Sequence, residues 1–163
     1  MTLMRIGVIS DTHIPDRASV IPAEVVAAFH GVDSIIHAGD FTSIDVVNTL
    51  QSIAPLHAVH GNMDEYQIKQ QFPSKKIIDA GRIRIGLVHG HEAGYENIKQ
   101  GIERLFKNDS VDCIVYGHTH RPEKAVIGGT LFFNPGSAVG DRSQSIGIFT
   151  ITDTTFDADI ISF

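Results

Sequence analysis

An α/β architecture of two packed β-sheets flanked by helices is predicted by three features of the 163-residue sequence. Five short runs rich in Ile, Val and Leu read as buried strands, helical patterns separate several of them, and the C-terminal third changes to strand runs with no helix between.

Taken in order, the first five strands are Arg5 to Ser10, Ser34 to Ala38, Leu56 to His60, Ile83 to His89 and Cys113 to Tyr116, each bounded by glycine or polar residues. Between them, Pro22 stands at the first helical position of PAEVVAAF, and Ser43 is placed to cap SIDVVNTLQSI. Tyr95 to Lys107 sets Ile98, Ile102, Leu105 and Phe106 on one stripe, as an amphipathic helix requires. Lys124 to Ile127 and Thr130 to Phe133 are joined by Gly128-Gly129, a two-residue hairpin signal, and Ser145 to Ile151 and Phe156 to Ser162 follow as strands. These C-terminal strands are expected to make a second, more antiparallel sheet packed on the first. No repeat, low-complexity tract or linker interrupts residues 1–163, so one domain is expected, long enough to bury a core without disulfides.

A hydrophobic fraction of 42% and a charged fraction of 20% are those of a soluble globular protein, and no stretch is long and apolar enough to span a bilayer. The opening MTLMRIGVIS enters a strand pattern at once, without the basic region and longer apolar stretch of an export signal. Cys113 is the single cysteine, which excludes an intrachain disulfide; its apolar setting suits a structural thiol, and a reducing, cytoplasmic location is expected. A net charge of −6 argues against attraction to duplex nucleic acid or an anionic membrane surface. A small anionic substrate stays open, because local charge decides its binding.

The strand ends share a property. Arg5 to Ser10 is followed by Asp11-Thr12-His13, Ser34 to Ala38 by Gly39-Asp40, and Leu56 to His60 by Gly61-Asn62-Met63-Asp64. Ile83 to Val88 leads into His89-Gly90-His91, and Cys113 to Tyr116 into Gly117-His118-Thr119-His120. In open α/β sheets ligands bind beyond the carboxyl ends of strands, so groups scattered along the sequence can converge there. Each has an ordinary explanation by itself: Asp11 or Asp40 as a helix cap, Asn62 in an Asx-turn, a histidine on a carbonyl. All of them together at one sheet edge point instead to a metal site.

Asp11, His13, Asp40, Asn62, His89, His118 and His120 combine carboxylate, amide and imidazole without thiolate. Such a set suits manganese, iron, zinc or another first-row cation better than a zinc finger or an all-oxygen calcium site. Seven donors are too many for one catalytic ion with open positions, but they suffice for two ions about 3.5–4 Å apart if one carboxylate bridges.

The order D-x-H, G-D, G-N, H-G, G-H-x-H over Asp11 to His120 resembles the calcineurin-like metallophosphoesterase superfamily. The small size, the lack of a cap domain and the segment Asn134-Pro135-Gly136-Ser137 look most like its small YfcE-type phosphodiesterases. The resemblance implies a four-layer α/β/β/α sandwich. It also implies Asp11, His13 and His120 on one metal and Asn62, His89 and His118 on the other, with Asp40 bridging. The implied activity is hydrolysis of a small phosphodiester by in-line attack of a bridging hydroxide on phosphorus. Two divalent ions bring four positive charges, of which two aspartates and a hydroxide remove three, leaving local positive charge for a phosphate. Manganese is the expected metal, with iron, zinc and nickel as alternatives, and the size is compatible with a homo-oligomer.

The sequence departs from those relatives at Met63, where many carry a histidine that protonates the leaving group; a thioether cannot donate a proton. Asp64, which would orient such a histidine, is left as a helix cap or a support for a ligand. His91 is a candidate substitute donor, against a supporting or surface role, and Arg142 is a candidate phosphate contact, against an ordinary surface arginine. Two rivals follow from the same residues: a phosphomonoesterase, and a non-catalytic interaction module like the retromer subunit that shares this fold with degraded metal motifs.

Overall fold

The structure is a computed structural model that describes residues 2–94, 96–140 and 143–163; Arg142 lies outside the described residues. The elements run β1 (Leu3–Ile9), α1 (Ala23–Ala28), β2 (Ser34–His37), α2 (Ile44–Ile53), β3 (Leu56–Ala58), α3 (Tyr66–Gln71), β4 (Lys75–Ala80) and β5 (Ile83–Val88). A 3-10 turn (His91–Ala93), α4 (Ile98–Leu105), β6 (Cys113–Val115), β7 (Glu123–Ile127), β8 (Thr130–Asn134), β9 (Ser145–Thr152) and β10 (Phe156–Ser162) follow. Ser43 caps α2 by accepting the Asp45 N–H at 3.2 Å. α4 begins later than its periodicity suggests, because Asn97 accepts the Gln100 N–H and fixes the first turn there.

Two five-stranded sheets result, in the orders β10-β9-β1-β2-β3 and β4-β5-β6-β8-β7. β1, β2 and β3 are parallel, as are β5, β6 and β8, while β9, β10, β4 and β7 run antiparallel to their neighbours. Both sheets are therefore mixed, and the C-terminal strands are shared between them rather than forming a sheet of their own. β7 and β8 extend the second sheet, whereas β9 returns to the first and pairs with β1 over Leu3 to Val8. The run SIGIFTI in β9 is buried, so it belongs beside a central strand and not at an exposed edge. β4, whose Lys75-Lys76 start hides its strand character, is an edge strand paired with β5, the kind of position that tolerates charge.

Alternating side chains of these strands fill three separate cores, and these define four layers. Ile9 and Ile35 pack with Val25 and Phe29 near α1 and with Val46, Val47 and Leu50 of α2. Ile6, Val8 and Ile36 face Ile85, Leu87, Cys113 and Val115 between the sheets. Val88, Ile114 and Tyr116 pack with Ile102 and Phe106 on the α4 side. The α/β/β/α sandwich follows from this period-two division. Cys113 is buried, and burial raises its thiol well above the ordinary range, as fits a structural role. Among the described residues no helix is long and apolar enough to cross a membrane.

The inter-sheet core is anchored by Phe149, fully buried, with Phe133 at 4.8 Å and Phe156 at 5.2 Å between ring centroids, both edge-on. Phe149→Ala is expected to reduce the unfolding free energy by about 3–5 kcal/mol in denaturant titrations, and Phe149→Leu by clearly less.

Candidate metal centre

The strand ends crowd together because two glycines allow it, Gly117 between the two sheets and Gly61 between neighbouring strands of the first. A Cβ at residue 117 would fall within contact distance of Ser10 Oγ and Asp11 Oδ2, and one at residue 61 would strike Asp40 Oδ1. The bare backbone at 117 lets the His118 N–H donate to Asp11 Oδ2 at 3.1 Å, while the Gly117 N–H donates to the His89 carbonyl at 3.0 Å. The loops after β1, β5 and β6 are thereby tied into one rim.

Local backbone strain is concentrated on that rim. The described non-glycine residues with positive φ are Asp11, His13, Asp40, Thr42, His118 and His120, at 44° to 71°. Five of these six are ligand candidates from the sequence. Such conformations cost of order 1–3 kcal/mol each and persist only where the surroundings over-determine them. The surroundings do so. Buried Asp64 accepts the N–H groups of Gly61, Asp40 and Thr42 at 2.6, 3.0 and 2.9 Å, clamping the loops after β2 and β3 together. Burial raises its carboxyl pKa, and the three N–H groups partly counter that. Asn134 Nδ2 donates to the Gly117 carbonyl and to Thr119 Oγ1, and Ser137 Oγ donates to the Asp11 carbonyl at 2.8 Å, so the turn after β8 fastens both ligand loops.

The donor atoms converge as two groups. Asp11, His13 and His120 form one, and Asp11, Asp40 and His89 the other, with the ligand atoms of each within 4.8 Å of one another. Asp11 is common to both. Asp40 Oδ2 lies 3.2 Å from His89 Nε2 and 3.7 Å from His13 Nε2, so it reaches an imidazole of each group. Each carboxylate has one oxygen held by the protein and one turned inward. Asp11 Oδ2 accepts from Ser10 Oγ at 2.6 Å, and Asp40 Oδ1 accepts from the Met63 N–H at 2.8 Å. Asp11 Oδ1 and His89 Nε2 are buried without a hydrogen-bond partner, although His89 Nε2 is close to Asp40 Oδ2; the pair is out of line for a hydrogen bond. Unpaired buried polar atoms are costly, and two aimed into one cluster of mixed oxygen and nitrogen donors fit a divalent cation.

The orientation of His89 agrees. His89 Nδ1 sits 2.7 Å from the Ala38 carbonyl, which can only accept, so Nδ1 keeps its proton and Nε2 faces inward, where a bound cation would take the place of the second ring proton. Burial lowers the His89 pKa, but Asp40 and Asp11 outweigh it and lift it to about 8. Burial likewise raises Asp11, yet the His120 and His13 imidazoles hold it far below the carboxylate range. Burial also opposes ionisation of Asp40, and His89 together with the Met63 N–H more than offsets it. His118 lies with its ring 5.2 Å from that of His89, and burial and the His89 charge lower its pKa.

The other candidates are placed less centrally. Asn62 is an exposed residue of the loop after β3, between Gly61 and Met63, whose backbones touch Asp40. His91 opens the 3-10 turn beside the cluster, 5.5 Å from the His89 ring; burial and the neighbouring imidazoles push it down to about 4, leaving it neutral at neutral pH. Asp64 and the Asn134–Ser137 turn have larger supporting roles than sequence suggests, since their partners are distant in the chain. Arg17 escapes sequence reasoning altogether. Its Nη1 lies 3.1 Å from His120 Nδ1, with only its nearness to the D-x-H motif as a signal.

A sandwich of mixed sheets with carboxylates and imidazoles gathered at the strand ends defines a metallohydrolase-type architecture. The chain belongs to the calcineurin-like phosphoesterase superfamily, whose domain model matches residues 4–157. It is 40% identical over 161 residues to a probable metallophosphoesterase of Methanothermobacter thermautotrophicus, covering 97% of this chain and 92% of that protein. Among solved structures, a predicted phosphoesterase from Streptococcus pneumoniae has a TM-score of 0.79 and 28% identity over 99% of this chain and 91% of that one. Vps29 of Entamoeba histolytica complexed with zinc has a TM-score of 0.77 and 25% identity over 98% and 99%.

His37 supports the site from below and supplies a pH test. Its Nδ1 accepts the Gly39 N–H at 3.0 Å, so Nε2 carries the proton and faces Thr12 Oγ1 at 3.2 Å. Burial pushes its pKa from 6.5 down to about 3. Between those values the unfolded chain binds a proton that the folded chain does not, so this contribution to stability falls as pH drops below about 6.5. In chelator, the stability advantage of wild type over His37→Asn is expected to shrink towards acid pH by at most about 1.4 kcal/mol per pH unit, measured by denaturant titration at pH 7.5, 6 and 5.

Proposed function

We propose that the protein is a metal-dependent phosphoesterase and, within that class, a phosphodiesterase acting on small diesters. The observation that carries it is the pair of buried, unpartnered atoms, Asp11 Oδ1 and His89 Nε2, at the centre of the convergent donors. We assign Asp11, His13 and His120 to one divalent cation and Asn62, His89 and His118 to a second, with Asp40 between them and manganese as the preferred metal. Cations held there supply Lewis-acid polarisation of a phosphoryl oxygen and a water acidic enough to act near neutral pH.

The chain's own contribution is to hold charges in place. Asp11 and Asp40 stay ionised, each fixed through its outer oxygen, so their inner oxygens need no reorganisation. His89 keeps Nε2 turned inward through its Nδ1 contact with Ala38. Met63 contributes its N–H to Asp40, while its side chain is 57% exposed and has no proton to give a departing alkoxide. Activated aryl leaving groups suffer least from that lack, and a singly anionic diester suits a pair of cations.

Likeness to Vps29 proteins favours a second reading, a non-catalytic interaction module. Metal content after purification without chelator, followed by a substrate panel with added manganese, separates the two. Bound metal with turnover supports the enzyme, and metal-free, inactive protein supports the module.

Asp40→Ala is expected to lower both bound metal and hydrolysis by at least about 100-fold, whereas His91→Ala keeps its metal and loses less activity. Equal losses with intact metal in both variants would contradict these roles. An activated aryl diester is expected to be cleaved faster than the matching monoester, and Met63→His should help alkyl leaving groups more than aryl ones. A clear monoester preference, with no selective gain in Met63→His, would overturn the diester assignment.

A further inference from the structure

We propose that the hollow beside His120 is a second anion-binding subsite, taking a phosphate or carboxylate carried on the substrate away from the reacting phosphorus. That the second anion is carried on a substrate rests on the phosphoesterase reading; its binding does not. The hollow, about 390 Å³, is bounded by Arg17, Thr119, His120, Arg121, Val139 and Ser143 among others. It adjoins the Asp11, His13 and His120 donor group through His120 itself. Among the described residues lining it there are two guanidinium groups and no carboxylate, on a chain whose net charge is −6. Such a local reversal of sign attracts anions and is the usual device for catching a forked oxyanion.

Both arginines are set from positions already tied to the metal centre. The Arg17 N–H donates to the His13 carbonyl at 2.8 Å. The Arg121 N–H donates to Thr119 Oγ1, which Asn134 Nδ2 holds at 3.1 Å. The contact between Arg17 Nη1 and His120 Nδ1 carries the idea further. A guanidinium only donates, so His120 Nδ1 must accept there, and the ring proton then sits on Nε2, which hydrogen-bonds His13 Nε2 at 3.2 Å. Ligation through Nε2 needs the opposite tautomer, with the proton on Nδ1. Arg17 cannot keep its contact with that tautomer, so loading the site frees the guanidinium for an anion in the hollow.

Isothermal titration of the manganese-loaded protein with propylphosphonate and with 3-phosphonopropionate, which adds one carboxylate, tests this. Wild type is expected to bind 3-phosphonopropionate roughly ten-fold more tightly. Arg17→Met combined with Arg121→Met should bind the two probes alike, with metal content and melting temperature retained. Should the Arg17 change disturb His120, Arg121→Met alone keeps the test decisive: 3-phosphonopropionate should weaken by roughly three-fold and propylphosphonate should not. Equal binding of the two probes by wild type, or a preference that survives the arginine substitutions, would overturn the subsite. Failure to hydrolyse any phosphoester with any metal would instead sink the enzymatic reading, and the probe comparison would still decide the subsite.

Discussion

The approach of the Gly117 backbone to Ser10 and Asp11 is the constraint on which the rest of the centre depends. It brings the last residues of β6, in one sheet, against the last residues of β1, in the other, closely enough for the His118 N–H to reach the Asp11 carboxylate. Two sheets that merely packed face to face would leave their strand ends apart by the thickness of the apolar layer between them. Here the layer closes at one end, and imidazoles from the second sheet stand over carboxylates from the first. The left-handed conformations of Asp11, His13, Asp40, His118 and His120 fall on this same crowded rim.

Support for this crowded end is built from neutral donors and a few fixed acceptors. Asp64, Asn134, Ser137 and His37 each satisfy backbone or side-chain groups of loops far from them in sequence. Their bonds absorb the strain of the rim, so that unsatisfied valence is left at Asp11 Oδ1 and His89 Nε2 in the centre. A centre arranged in this way holds its donors in position ahead of the ion instead of gathering them around it.

Much of this was legible in the sequence because the informative residues follow buried strands directly. The runs before Asp11, Asp40, His89 and His118 are continuous and apolar, and a polar donor just after such a run has few places to go. The order of donors along the chain gave the superfamily and its layered sandwich. Other features were not legible, since they depend on pairings between distant segments. Nothing local distinguishes β9 as a partner of β1 from β9 as part of a separate sheet, and only burial on both faces decides it. β4 was hidden by its two lysines, which an edge accepts. Asp64 has the composition of a helix cap, and only the folded chain reveals that its three donors come from the loops after β2 and β3. Arg17 carries no signal beyond its nearness to His13.

The return of β9 to β1 has a bearing on biogenesis. β1 pairs with residues 147–152, and the Asp11 carbonyl is held by Ser137, 126 residues away, so the first ligand loop depends on residues made long after it. Such contacts of long sequence separation form late. A chain emerging from the ribosome carries its D-x-H segment on a strand with one side open until residues 147–152 have been synthesised. Convergence of the donors is therefore a property of the folded chain, and a nascent chain that lacks β9 has yet to assemble the cluster.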